Sequence, residues 1–194
     1  MKKREILLVS IDINEETFYE QGTPLNLCYL AGYADKYLPG AFDFKLKSYL
    51  DFSLRESADL VGLSSMSKYI PRAVKIAEEI KKEKNIPVLL GGSHITALPH
   101  TLPQPFDVGV IGEGEETFTE LLALFKEKGE FLPADLAEIK GIAYHQEGKV
   151  VVNPPRPLIA PLDKIPFPRR DLWDMTGKTM WITSSRGCPF GCIY

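Results

Sequence analysis

Asp59-Leu60-Val61-Gly62-Leu63-Ser64-Ser65 decides how this chain folds. Positions 60–63 are apolar or Gly without a break, and small hydroxyl residues follow. A strand with one wet face alternates apolar and polar residues; an unbroken run belongs to a strand covered on both faces, as in a parallel sheet. The texture then changes period. Ile70, Ala73, Val74, Ala77 and Ile80 recur at helical spacing, and the opposite side is rich in Lys and Glu. Pro71 falls in the first turn of that helix, where its missing N–H matters least.

The same strand-then-helix texture repeats on either side. Ile6 to Ser10 is an apolar run. Thr23 suits an N-cap and Pro24 the first helical position. Leu27, Cys28, Ala31, Ala34 and Leu38 then line one helix face, and Pro39-Gly40 ends it. Asp43 to Leu50 alternates, as a strand nearer an edge does. Ile86 to Gly92 and Phe106 to Gly112 read as fourth and fifth strands. The last helix starts near Gly114, carries Glu115 and Glu116 in its positive first turn, and buries Phe118, Leu121, Leu122 and Phe125 before Gly129 closes it. This alternation predicts an α/β fold with a doubly wound, five-stranded parallel sheet, Rossmann-like, in the flavodoxin-like order 2-1-3-4-5.

Past Gly129 the pattern is different. Ile139 to His145 and Lys149 to Val152 flank Gln146-Glu147-Gly148 and predict a β-hairpin. Residues 153–170 contain Pro154, Pro155, Pro157, Pro161, Pro166 and Pro168, which predicts an extended connector. Met180 to Thr183 reads as a short new strand. The organisation expected is an α/β domain over 1–130, a hairpin and Pro-rich linker over 131–178, and the start of a further domain over 179–194.

Bulk properties exclude several classes of function. Among 194 residues, 23 are basic and 26 acidic, for a net charge of −3, and no long basic run is present. Nucleic acid and anionic membranes therefore find no electrostatic footprint. No apolar run approaches the length of a membrane span, and the basic start leads into a strand-length stretch only. Three cysteines argue against a disulfide framework and for a cytoplasmic protein.

In an open parallel sheet, ligands bind beyond the carboxyl ends of the strands. The stretches there are Asp12 to Thr23, Ser64 to Ser67, Gly91 to His94 and Gly112 to Glu115, all small, polar or Gly-rich. Glycine lets backbone approach a ligand, and Ser hydroxyls donate or accept. Neither GxGxxG nor GxxxxGK[ST] occurs, so a dinucleotide or P-loop site lacks its signature. His94 suits a ligand contact, a metal ligand or a cap. Glu113, between two glycines, is the stronger functional candidate of the acidic pair Glu113 and Glu115. Cys28 reads as a small core residue; His100 and His145 have no partner pattern. Cys188 and Cys192 enclose three residues, a spacing that fits zinc ribbons and redox motifs poorly but is compatible with iron–sulfur ligation.

Ser185-Arg-Gly-Cys-Pro-Phe-Gly-Cys-Ile-Tyr194 resembles the start of the radical S-adenosylmethionine motif CxxxCxxC, with the third cysteine due after Tyr194. The residues before it resemble the cobalamin-binding domain that precedes such barrels. The matching stretches are Thr23 to Leu25, Tyr29 to Tyr33, Asp59 to Ser64, Gly91 to His94, Gly112 to Phe118 and Ile165 to Leu172. The resemblance implies cobalamin in this domain, with a [4Fe–4S] cluster and S-adenosylmethionine held by a C-terminal radical barrel of the same polypeptide. It implies methyl transfer or radical rearrangement in the full-length protein. The nucleotide tail would run past Gly91 and Gly92, contact Ser64, Ser65, Ser67 and His94, and meet Gly112, Glu113 and Gly114 on the far side. The corrin would rest over Thr23, Pro24, Leu25 and Met66, while Cys188 and Cys192 would ligate iron. The DxHxxG signature is absent, which implies cobalamin without a lower His ligand. Two alternatives stay open: a cofactor-free docking domain of a radical S-adenosylmethionine protein, and an unrelated small-molecule module. By itself the chain is expected to be catalytically inert and unable to hold a stable cluster.

Overall fold

Alternating side chains of one buried strand feed two separate cores. In the computed structural model, which describes residues 3–11, 23–174, 180–188 and 190–192, that strand is β1 (Arg4–Ser10). Ile6 and Leu8 enter one apolar cluster, and Leu7 and Val9 the other. This follows from the two-residue period of a strand. β1 is flanked by β2 (Phe42–Ser48) and β3 (Leu60–Ser64), followed outward by β4 (Val88–Gly91) and β5 (Val108–Val110), all parallel. Among these five the order is 2-1-3-4-5, as expected from the sequence.

Helices α1 (Leu25–Tyr37) and α4 (Gly114–Lys128) cover one face, with Leu27, Ala31, Phe118 and Leu122 buried beneath them. α2 (Ile70–Lys84) and the short α3 (Ser93–Ala97) cover the other with Ala73, Ala77, Ile80 and Ile95. α5 (Pro133–Leu136) is a single turn before the hairpin. No helix among the described residues is long and apolar enough to cross a membrane.

Several details differ from expectation. The first helix starts at Leu25, and Pro24 occupies the cap position instead of the first turn. Hairpin strands β6 (Ile142–Gln146) and β7 (Lys149–Val152) continue the sheet: β6 pairs antiparallel with β5, making seven strands. Ile142, Ala143 and Tyr144 are buried, so the predicted hairpin also completes the core. Met180 to Thr183, expected as a short strand, joins no sheet among the described residues. Most of the expected first rim loop, residues 12–22, lies outside the described residues.

The Pro-rich connector is bound to the domain. The Arg169 N–H donates to the Cys28 carbonyl at 3.0 Å, and its guanidinium pairs with Asp35 and Asp171. Gly32 on α1 lets it approach: a Cβ there would lie 2.7 Å from the Phe167 carbonyl oxygen.

Candidate functional site

Parallel strands end together, and here their carboxyl ends enclose a cavity of about 360 Å³. Its floor is apolar, made by Leu8, Leu63, Leu89, Val110 and Phe118. Leu25, Leu27 and Leu30 of α1 form one wall, and Gly112, Glu113 and Gly114 at the start of α4 form another. Polar groups are few. The Asn26 amide donates to Ser64 Oγ at 2.9 Å beside the β3 end, leaving Ser64 4% exposed.

The two predicted glycines at the end of β4, Gly91 and Gly92, have different work. A Cβ on Gly91 would meet nothing nearer than 4.0 Å, so this residue keeps the cavity open. Gly92 has φ +102, and a Cβ there would stand 2.6 Å from the Ser65 carbonyl oxygen. Its bareness serves the packing of the β4 turn against the loop after β3 as well as the cavity. Gly112, at φ +75 and with open space around it, also belongs to the left-handed region where glycine is favoured.

Seven predicted residues line the cavity: Leu25, Ser64, Gly91, Gly92, Gly112, Glu113 and Gly114. The others stand apart. Ser65 is fully buried, its N–H donating to the Gly91 carbonyl and its hydroxyl to the Met66 carbonyl. Ser67 and His94 pair with each other, Oγ to Nδ1 at 3.0 Å, and His94 Nε2 meets Thr101 Oγ1 at 3.2 Å. Both ring nitrogens are thus engaged outside the cavity. Thr23 and Pro24 precede α1, and Met66 is exposed on the rim. Cys188 and Cys192 are exposed free thiols, and no group of three potential metal-ligating side chains occurs among the described residues.

Sequence reading missed Arg186, Asn26, Tyr29 and Thr183, all of which line the cavity. Arg186 Nη1 lies 3.2 Å from Glu113 Oε1, and Nη2 pairs with Glu115 Oε1. Glu113 Oε2 also accepts the Ile159 N–H at 2.6 Å. Burial opposes the Arg186 charge, but the bonds to Glu115 and Glu113 outweigh it and raise the pKa above the ordinary arginine value. An Arg between Ser185 and Gly187 carries no local sign of a partner 71 positions earlier. Only the acidic Gly112-Glu-Gly-Glu-Glu stretch hints at one.

The cavity lies at the carboxyl ends of the parallel strands, where open sheets of this kind bind ligands. A methyltransferase of uncharacterised role from Pyrococcus horikoshii is 34% identical over 190 residues, covering 89% of this chain and 40% of that protein. The anaerobic magnesium-protoporphyrin IX monomethyl ester cyclase of Rubrivivax gelatinosus is 32% identical over 193 residues, covering 88% of this chain and 34% of its own. The chain therefore spans less than half the length of these relatives. The radical S-adenosylmethionine methyltransferase TsrM from Kitasatospora setae, solved with cobalamin and a [4Fe–4S] cluster, superposes with a TM-score of 0.62 at 22% identity. That match covers 85% of this chain and 31% of TsrM, and it establishes the shared fold. The B12 binding domain profile matches residues 12–122, more than half of the sequence and including the carboxyl ends of β3, β4 and β5 that border the cavity, so this chain belongs to the B12 binding domain family.

Proposed function

We propose that the chain is the cobalamin-binding part of a larger radical S-adenosylmethionine enzyme that transfers a methyl group or rearranges a substrate by a radical route. The observation that carries this is the open, apolar, glycine-edged cavity at the strand ends. It suits a flat, largely apolar group such as the base of the nucleotide tail. The nucleotide tail would enter, and the corrin would stay outside near Thr23, Pro24, Leu25 and Met66. Ser64 and Asn26 hold the polar atoms at the β3 side, Gly91 and Gly112 keep the path clear, and the leucines exclude water. When bound, cobalamin supplies the methyl-transfer or radical chemistry; the protein supplies orientation and burial.

The exposed Cys188 and Cys192 would be two thiolate ligands of a [4Fe–4S] cluster, completed with S-adenosylmethionine by a barrel in the same polypeptide. The names of the Pyrococcus relative and of TsrM support the methyl-transfer branch. Unpaired cysteines support a cytoplasmic location. The test mixes the chain with hydroxocobalamin at micromolar concentration and removes free ligand. Corrin absorbance is expected to stay with the protein; its complete loss overturns the reading. One observation favours a cofactor-free docking role instead: Arg186 forms part of the cavity wall, held by two carboxylates. In that case Gly91→Leu leaves the activity of the full-length enzyme intact.

A further inference from the structure

Among the described residues that line the cavity, Arg186 is the one cation, and it stands two positions before Cys188. Its guanidinium bridges Glu113 and Glu115 and lies 5.5 Å from the ring centre of Tyr29 on α1. Exposed ion pairs contribute little, because water screens them and side-chain freedom is lost. This pair is different in kind: the Glu115 side chain is 6% exposed and that of Arg186 25%. Both carboxylates sit at the start of α4, where the helix dipole favours negative charge whether or not the cation is present. Glu113 also holds the connector through the Ile159 N–H. The acidic pair is therefore a preformed bracket to which two separate later segments attach. The segment bearing Arg186 has no helix or strand to hold its shape, so side-chain ties must do so.

We infer that Arg186 is a positioning residue that ties the cysteine-bearing arm to the rim of the cavity through Glu113 and Glu115. The benefit to cluster assembly rests on the proposed function above; the tie itself does not. Arginine suits this role because its planar fork serves two carboxylates at once, which the single ammonium of lysine does not match. The arm would thereby present Cys188 on the side of the cavity mouth and leave the thiols exposed, as they are here.

The test is backbone amide relaxation on the chain itself, comparing Gly187 with amides of β3. In the wild type the Gly187 order parameter should be near that of rigid backbone, about 0.85, and in Arg186→Gln it should fall below about 0.6 while β3 is unchanged. Arg186→Lys should give an intermediate value. The charge-swapped chain, Glu115→Arg with Arg186→Glu, should recover most of the lost order. A Gly187 value unaffected by Arg186→Gln overturns the inference, as does a charge swap that folds without restoring order. Should Arg186→Gln melt the sheet, the Lys and charge-swapped chains decide by the same criterion. Cobalamin retention is scored separately: a wild type that passes the relaxation test yet retains no corrin sinks the functional reading and leaves the tie standing.

Discussion

Gly91 and Gly92 are neighbours with opposite sensitivities. Gly91 faces open cavity, so a side chain there fills space without straining backbone. Gly91→Leu should leave the unfolding transition nearly unchanged while weakening hydroxocobalamin binding at least tenfold, about 1.4 kcal/mol, in a titration followed by absorbance. Gly92→Ala meets both an unfavourable φ and the Ser65 carbonyl oxygen, and should cost about 1–3 kcal/mol of stability in a urea melt. Cys28 gives a second residue-scale prediction. Burial pushes its thiol up from 9.0 to about 11; nearby Arg170 opposes this and Asp171 adds to it. At pH 8, Ellman's reagent should find Cys188 and Cys192 in the native chain, and Cys28 only after denaturation. The raised value also has a linked effect on stability. Above pH 9 the unfolded thiol loses its proton and the folded one keeps it, so this stabilisation is complete below pH 9 and declines towards pH 11. Cys28→Ala should remove that part of the alkaline slope.

At the scale of elements, Asn153 links the hairpin to the turn before it. Its amide nitrogen donates to the Leu136 and Ile139 carbonyls, both at 2.7 Å, and the residue is 7% exposed. The Leu136 carbonyl ends the single-turn α5, and the Ile139 carbonyl belongs to the turn that follows it. Asn153→Ala removes both bonds in a buried place and should destabilise the chain by about 1–3 kcal/mol, read from the urea midpoint. From sequence, Asn153 is merely the first residue of a Pro-rich run. The helices were easier to read. α4 begins at Gly114 and ends at the left-handed Gly129, as the acidic first turn and terminal glycine predict, since those signals are local.

At the scale of the whole molecule, β5 is only three residues long and lies between β4 and β6. Without the hairpin it would become an exposed edge, and Leu136, Ile139, Ile142, Tyr144 and Trp173 would leave the core they share with α1 and α4. A chain ending after residue 131 should therefore lose its cooperative melt or aggregate, in scanning calorimetry and size-exclusion chromatography, because unpaired edges recruit other strands. If that chain melts as a stable monomer, the hairpin is not part of the folding unit.

The strand–helix alternation was written in local pattern, whereas the order of the five parallel strands and the end of the sheet that carries the cavity followed from the fold type this alternation implies. Apolar runs, helical spacing and end signals act over a few residues, and the right-handed crossover restricts how they assemble. The glycine rim was legible for the same reason: strand ends need small residues, and parallel strands bring their ends together. Which rim residues face the cavity was decided in three dimensions. Ser65, Ser67 and His94 turned to protein partners, whereas Asn26, Tyr29 and Arg186 entered the wall. The pairing of Arg186 with Glu115 spans 71 positions, and the attachment of β6 to β5 joins segments with no shared local signal. Such contacts depend on the closure of long loops and on charge partners meeting in a buried place, and neither leaves a periodic trace along the chain.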